Sequence, residues 1–112
     1  MIIGYARVST TDQNCDYQID ELTKSGCEKI FIEKASAKTK DRPELTRLLD
    51  SLRQDDIVVV YKLDRLGRSL KDLITLLEMF KSNGVQFKSL SENIDTTTST
   101  GKLVFNVIGA IA

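Results

Sequence analysis

Two short stretches hold the residue types able to do chemistry in this chain. In Gly4-Tyr5-Ala6-Arg7-Val8-Ser9-Thr10 an apolar run ends on an arginine and, two residues later, a serine. In Tyr61-Lys62-Leu63-Asp64-Arg65-Leu66-Gly67-Arg68-Ser69 a carboxylate is followed at once by one arginine and then by a second. A hydroxyl beside guanidinium groups suits a phosphate, because planar forks match its oxygens and neutralise the charge of a transferring phosphoryl group. The chain contains no histidine, which removes the Ser-His-Asp arrangement of acyl-transfer hydrolases. It has no GxxxxGK[ST] loop for nucleotide phosphates and no clear carboxylate set for a two-metal nuclease. Metal-free phosphoryl transfer is the chemistry that remains. Ser9 is then the candidate nucleophile, Arg7, Arg65 and Arg68 the candidate phosphate ligands, and Asp64 either orients an arginine or handles a proton. A plainer reading stands beside it: a lone serine at a strand end is most often a turn or cap residue, and Asp64, Arg65 and Arg68 equally make a solvated cluster capping the next helix.

The elements that must position these residues alternate regularly. Ile2 to Val8 reads as a strand, and Thr10-Thr11-Asp12-Gln13 has capping-box spacing, predicting a helix whose apolar stripe is Cys15, Ile19 and Leu22 and whose left-handed stop is Gly26. Lys29 to Glu33 reads as a second strand, and the polar run Lys34 to Lys40 as a mobile loop. Asp41 as cap, Pro43 in the first turn and Leu45, Leu48, Leu49 and Leu52 on one face predict a second helix. The β-branched run Ile57-Val58-Val59-Val60 suits a central parallel strand covered on both faces. Leu70, Leu73, Ile74, Leu77 and Phe80 mark a third helix closed by Asn83-Gly84, and Val85 to Leu90 a fourth strand. This rhythm predicts a single-domain α/β fold, a mostly parallel sheet flanked by helices. If the first and third strands are parallel neighbours, both chemical stretches leave the same sheet edge, where ligands of open α/β sheets bind.

After a polar loop, Ser91 to Thr100, a last helix is expected from about Gly101-Lys102. Its apolar residues spread round too much of the circumference for a surface helix, so cover on more than one side is expected. The segment reads as the truncated start of a longer helix whose apolar face was meant for another subunit; a short buried terminal helix is the plainer alternative and ranks behind it. Leu103, Phe105, Val107 and Ile108 should then favour self-association.

At 112 residues the chain suits one domain with an ordinary core. Sixteen basic and sixteen acidic residues cancel; a self-sufficient DNA binder normally carries a basic excess, so a nucleic-acid role would need a local patch or a further part. Cys15 and Cys27 fit no CxxC pattern, which with the missing histidines argues against zinc and for free thiols in a reducing compartment. The N-terminal residues lack signal-peptide character and no apolar stretch matches a membrane span, so a soluble cytoplasmic protein is expected.

The blocks Gly4 to Thr10, Asp41-Arg42-Pro43 and Leu63 to Ser69 resemble the signature blocks of the serine recombinases, the resolvase and invertase family. Ser91 to Gly101, with Ile94-Asp95-Thr96, resembles the DNA invertase branch more than the resolvases. The resemblance implies site-specific DNA recombination in which Ser9 attacks a backbone phosphate, leaving a 5′-phosphoserine link and a free 3′-hydroxyl, with religation as the reverse. It implies that Arg7, Arg65, Arg68 and Arg42 bind phosphate, that Asp64 assists proton transfer or arginine placement, and that Gln13 and Gln18 support the serine. No metal or other cofactor, no small-molecule ligand and no membrane is implied. The implied partners are double-stranded DNA, bound through the full-length protein, and further copies of the chain, in a homodimer and a synaptic tetramer. Residues 1–100 correspond to the catalytic domain and 101–112 to the start of the dimerisation helix, with the helix-turn-helix domain absent. Such a fragment alone is expected to be inactive, because positioning dominates this chemistry. A non-catalytic assembly subunit that pairs with an intact recombinase is the alternative from another class; a flavodoxin-like phosphate-binding domain ranks behind both.

Overall fold

A computed structural model of the chain describes residues 1–8, 15–34 and 41–111. In chain order its elements are β1 (Ile2–Val8), α1 (Cys15–Lys24), β2 (Lys29–Lys34), α2 (Pro43–Ser51) and β3 (Ile57–Val60). A short 3-10 turn (Leu63–Arg65) follows, then α3 (Leu70–Ser82), β4 (Gln86–Ser89), β5 (Ile94–Asp95) and α4 (Ser99–Ile111). The sheet order is β2-β1-β3-β4-β5. The first four strands run parallel and β5 pairs antiparallel with β4.

The β-branched run takes a central place for the reason its composition suggests. Val58, Val59 and Val60 are all buried, between β1 on one side and β4 on the other, with helices over both faces. Alternation along β1 divides the core. Ile3 and Tyr5 point toward Leu45 and Leu48 of α2 and Leu73, Leu76, Leu77 and Phe80 of α3, while Ala6 packs on the opposite face with Leu22 of α1. Burying a leucine such as Leu48 contributes about 2 kcal/mol. Over Gly4 the α1 side is tight, since a Cβ there would lie 3.0 Å from Cys27 Sγ and 3.3 Å from Leu22.

Helix ends follow local chemistry where local chemistry suffices. At the end of α1, Gly26 adopts φ 91°, and the Cys27 N–H reaches the Leu22 carbonyl at 3.3 Å. Gly84 ends α3 the same way, with φ 69° and a 2.8 Å bond from the Val85 N–H to the Phe80 carbonyl. Both are glycine C-caps in which a left-handed residue lets the chain recover orphaned carbonyls. Ser69 caps the start of α3, accepting the Asp72 N–H at 3.1 Å.

Four expectations need correction. Asp41 does not cap α2: Arg42 occupies the cap position without a side-chain cap bond, and the free N–H groups are met by a residue from β2 described below. Leu70 stands at the first position of α3 and is 58% exposed rather than on its apolar face. The segment after β4 is not all loop, because β5 forms there. Thr96 holds it: its hydroxyl accepts the Phe87 N–H at 2.7 Å and its own N–H bonds the Phe87 carbonyl at 2.9 Å. Finally, α4 begins at Ser99 rather than near Gly101. Phe105 packs against the main core, whereas Leu103 and Val107 are 64% and 50% exposed. Among the described residues no helix is long and apolar enough to cross a membrane. The expected loop 35–40 and the capping box at 10–13 lie outside the described residues.

Candidate active site

The chain leaves β1 toward β2 on one side of the sheet and returns to β3 on the other, so the crevice between the carboxyl ends of β1 and β3 is the topological switch point. Arg7 stands there, next to last in β1, and shares the phase of Ile3 and Tyr5, toward α2 and α3. It is buried, at 3% exposure. Its Nη2 donates to the Asp64 carbonyl, which ties the end of β1 to the 3-10 turn. Its Nε and Nη1 are buried and find no hydrogen-bond partner among the described residues. Burial pushes the Arg7 guanidinium below its ordinary pKa; the nearby Arg65 and Arg42 cations push the same way, opposed by Tyr5 and Asp64.

The other candidates gather round this point. Gln18 is buried on α1; its side-chain amide donates to the Arg7 carbonyl at 3.3 Å, and its Oε1 is buried without a partner. Asp64 contributes its backbone to Arg7, while its carboxylate stays largely in solvent, 3.8 Å from Arg65 Nε. That Nε is itself buried without a hydrogen-bond partner. Arg42 reaches over from the start of α2: Nη1 donates to the Leu66 carbonyl at 2.6 Å and Nη2 to Asp72 Oδ2 at 2.8 Å, leaving only Nε unpartnered. Arg68 is exposed and lines an open cleft of about 610 Å³ together with Lys62, Asp64, Ser69 and Ser91. Gly67 makes this turn possible, because a Cβ there would lie 2.7 Å from Leu73 Cβ and 2.8 Å from its Cα. The structure thus joins Arg7, Asp64, Arg65 and Gln18 at one place, with Arg42 bracing the turn beside them and Arg68 at its outer rim. Ser9 and Gln13 lie outside the described residues.

Three supporting residues escaped the sequence reading. Glu33 is buried on β2, in register with Arg7, and its carboxylate accepts the Glu44 N–H at 3.2 Å, the Leu45 N–H at 3.0 Å and the Tyr5 hydroxyl at 3.3 Å. It is the anion at the N-terminus of α2, where orphan donors and the helix dipole favour negative charge. The Tyr5 phenol is correspondingly held well above its ordinary pKa, first by burial and then by Glu33. The available signal was phase: Glu33 lies two residues after Phe31, on the covered side of β2, whereas Ile32 between them is exposed. Replacing Glu33 by Ala strands two backbone donors and a phenol; an expected loss of about 3 kcal/mol is measurable by urea unfolding. Glu92 accepts the Leu63 N–H at 3.3 Å and also the Ser89 hydroxyl, anchoring the entrance of the 3-10 turn. Asp72 is the third.

The fold and site together define a doubly wound α/β domain with an arginine-lined crevice at its switch point. Comparison with known proteins assigns it further. Residues 2–112 match the family model "Resolvase, N terminal domain", and the chain belongs to that family. It is 51% identical over 112 residues to the transposon Tn917 resolvase of Enterococcus faecalis, covering all of this chain and 61% of the relative. It is 50% identical over 112 residues to the serine recombinase gin of Escherichia phage Mu, covering all of this chain and 58% of the relative. The chain therefore spans well under two-thirds of the length of these relatives. Among solved structures, the N-terminal catalytic domain of TP901-1 integrase superposes with a TM-score of 0.86 at 36% identity, covering 98% of this chain and 92% of that one.

Proposed function

We propose that this chain is the catalytic domain of a serine site-specific DNA recombinase, acting by inversion or resolution. The observation that carries the reading is Arg7: a buried guanidinium at the switch point, fixed through Nη2, with Nε and Nη1 unmatched. A buried cation with unmet donors is costly unless a ligand supplies the acceptors, and a phosphodiester oxygen fits a guanidinium fork. Ser9 follows β1 by one residue in sequence. Its Oγ forms a bond to a backbone phosphorus while the P–O3′ bond breaks; the serine proton leaves to the Asp64 side of the site or to water, and the 3′ oxygen takes a proton from water and departs as a hydroxyl. The product is a 5′-phosphoserine link, and the reverse attack by a 3′-hydroxyl reseals the strand. Arg7, Arg65 and Arg68 neutralise the charge that builds on the phosphate, Arg42 braces their turn, and Gln18 steadies the backbone at Arg7.

The partners are double-stranded DNA, engaged with the help of sequence beyond this domain, and further copies of the chain, first as a homodimer and then as a synaptic tetramer. The names of the matched relatives support the activity, and the uncovered side of α4, with Leu103, Val104 and Val107, supports the self-association. The test joins this chain to the C-terminal portion of the phage Mu relative and incubates it with nicked cognate DNA in a chelator. A protein–DNA adduct at the 5′-phosphate is expected, and none with Ser9→Ala. An adduct that persists in Ser9→Ala, or none from the unaltered chain when it binds the site, sinks the reading.

A further inference from the structure

We propose that Asp72 is a positioning residue for this phosphoryl transfer, working through Arg42 and the backbone of Arg68. One of its oxygens, Oδ2, accepts from two groups at once: Arg42 Nη2 at 2.8 Å and the Arg68 N–H at 2.9 Å. Both partners belong to the candidate phosphate-binding set, yet they come from different elements, Arg42 from the start of α2 and Arg68 from the turn before α3. Arg42 closes the loop by donating its other terminal nitrogen to the Leu66 carbonyl. The turn from Leu66 to Arg68 is thereby held at both ends by one guanidinium and one carboxylate.

Asp72 itself has little freedom. Its backbone N–H is taken by the Ser69 cap, its side chain is 18% exposed, and Arg42 opposite is 7% exposed. Screening is weak for such a pair, so the bond sets geometry more firmly than a surface ion pair could. An ordinary capping carboxylate at this helix position turns back to the N–H of the cap residue; here the carboxylate reaches one residue further, to Arg68, and spends the same oxygen on Arg42. A carboxylate present only to start α3 has no need of Arg42. One that uses Arg42 as a brace to set the turn carrying Arg68 against a phosphate does, because sub-ångström placement is what converts bound charge into rate.

The inference rests on the function proposed above, and its experiment separates the two. In the joined recombinase, Asp72→Asn keeps size and an acceptor for the Arg68 N–H but removes the charge that holds Arg42. At a temperature where both proteins stay folded, its adduct formation is expected to slow by about thirtyfold at saturating protein with affinity for the site within twofold, while the thermal midpoint drops by several degrees because Arg42 keeps a buried charge without its partner; Asp72→Glu should recover part of the rate. In an Arg42→Ala background, Asp72→Asn should add less than twofold. If the two substitutions multiply, or if the rate falls only as far as the folded fraction, Asp72 is a helix cap and the proposal fails while the recombinase reading stands. If the unaltered protein, bound to its site, forms no adduct, both fall.

Discussion

Replacing Arg7 by Met is expected to abolish strand cleavage and at the same time to make the isolated domain more stable. The guanidinium is buried, makes no ion pair among the described residues, and uses one of its nitrogens on a backbone carbonyl while two others go unmatched. Its neighbours Arg65 and Arg42 repel it. A cation so placed raises the free energy of the unliganded fold, and an apolar side chain of similar length relieves that cost. Stability should rise by about 1 kcal/mol, or some 5 °C in the thermal midpoint of a domain this size. Adduct formation should fall by about a thousandfold, as when a principal charge-stabilising donor is lost.

The pH dependence follows with a definite sign. A base whose folded pKa is lowered destabilises the fold at every pH where it is charged, and arginine is charged throughout the working range. The advantage of Arg7→Met should therefore be flat between about pH 5 and pH 9. Sulfate supplies a second check: its general salting-out effect should raise both midpoints, and binding at the crevice should add a further rise in the unaltered domain that Arg7→Met lacks. A lower midpoint for Arg7→Met would mean that the bond to the Asp64 carbonyl outweighs the desolvation, and an equal sulfate shift in both proteins would mean that the unmatched nitrogens are not waiting for an anion.

What the sequence disclosed and what it withheld divide along the range of the interactions. The strand Ile57 to Val60, the leucines of α2 and the glycine stops at Gly26 and Gly84 depend on residues within a few positions of one another, and they stand where periodicity and turn chemistry put them. The meeting of Arg7 with Asp64 and Arg65 follows from a single topological step, the pairing of β1 with β3. At α2 the expected Asp41 cap is absent because Glu33 accepts the first free N–H groups from another strand, a long-range contact that local spacing does not carry. Strand β5, two residues long, is too short for any period to register, and it exists because Thr96 bonds back to β4. By sequence alone Asp72 is one more polar residue in a helix's first turn. Its second partner, Arg42, is thirty positions earlier in the chain. For α4 the apolar pattern asks for cover on more than one side, and a pattern carries no mark of whether that cover comes from the same chain; here Phe105 packs on the core while Leu103 and Val107 are exposed.

The docking of α4 depends on one glycine, and Gly101→Ala is expected to lift the start of the helix off the sheet. A Cβ at Gly101 would fall on the Asp95 carbonyl, well inside contact distance, and 2.9 Å from the Asp95 nitrogen. All of these atoms are backbone, so no side chain can swing aside. Either β5 separates from β4, breaking the bonds that Thr96 makes, or α4 moves away and exposes Phe105. The second is cheaper, since Phe105 is only partly buried while the Thr96 bonds lie in the interior. In a helix, Ala is normally favoured over Gly by about 1 kcal/mol; here the clash should reverse the sign and cost about 2 kcal/mol net. Hydrogen exchange distinguishes the outcomes: faster exchange confined to α4 supports helix release, and loss of protection across β4 and β5 supports strand separation. A midpoint raised by the substitution would show that α4 can shift without strain, and that its angle to the sheet is not held by this contact.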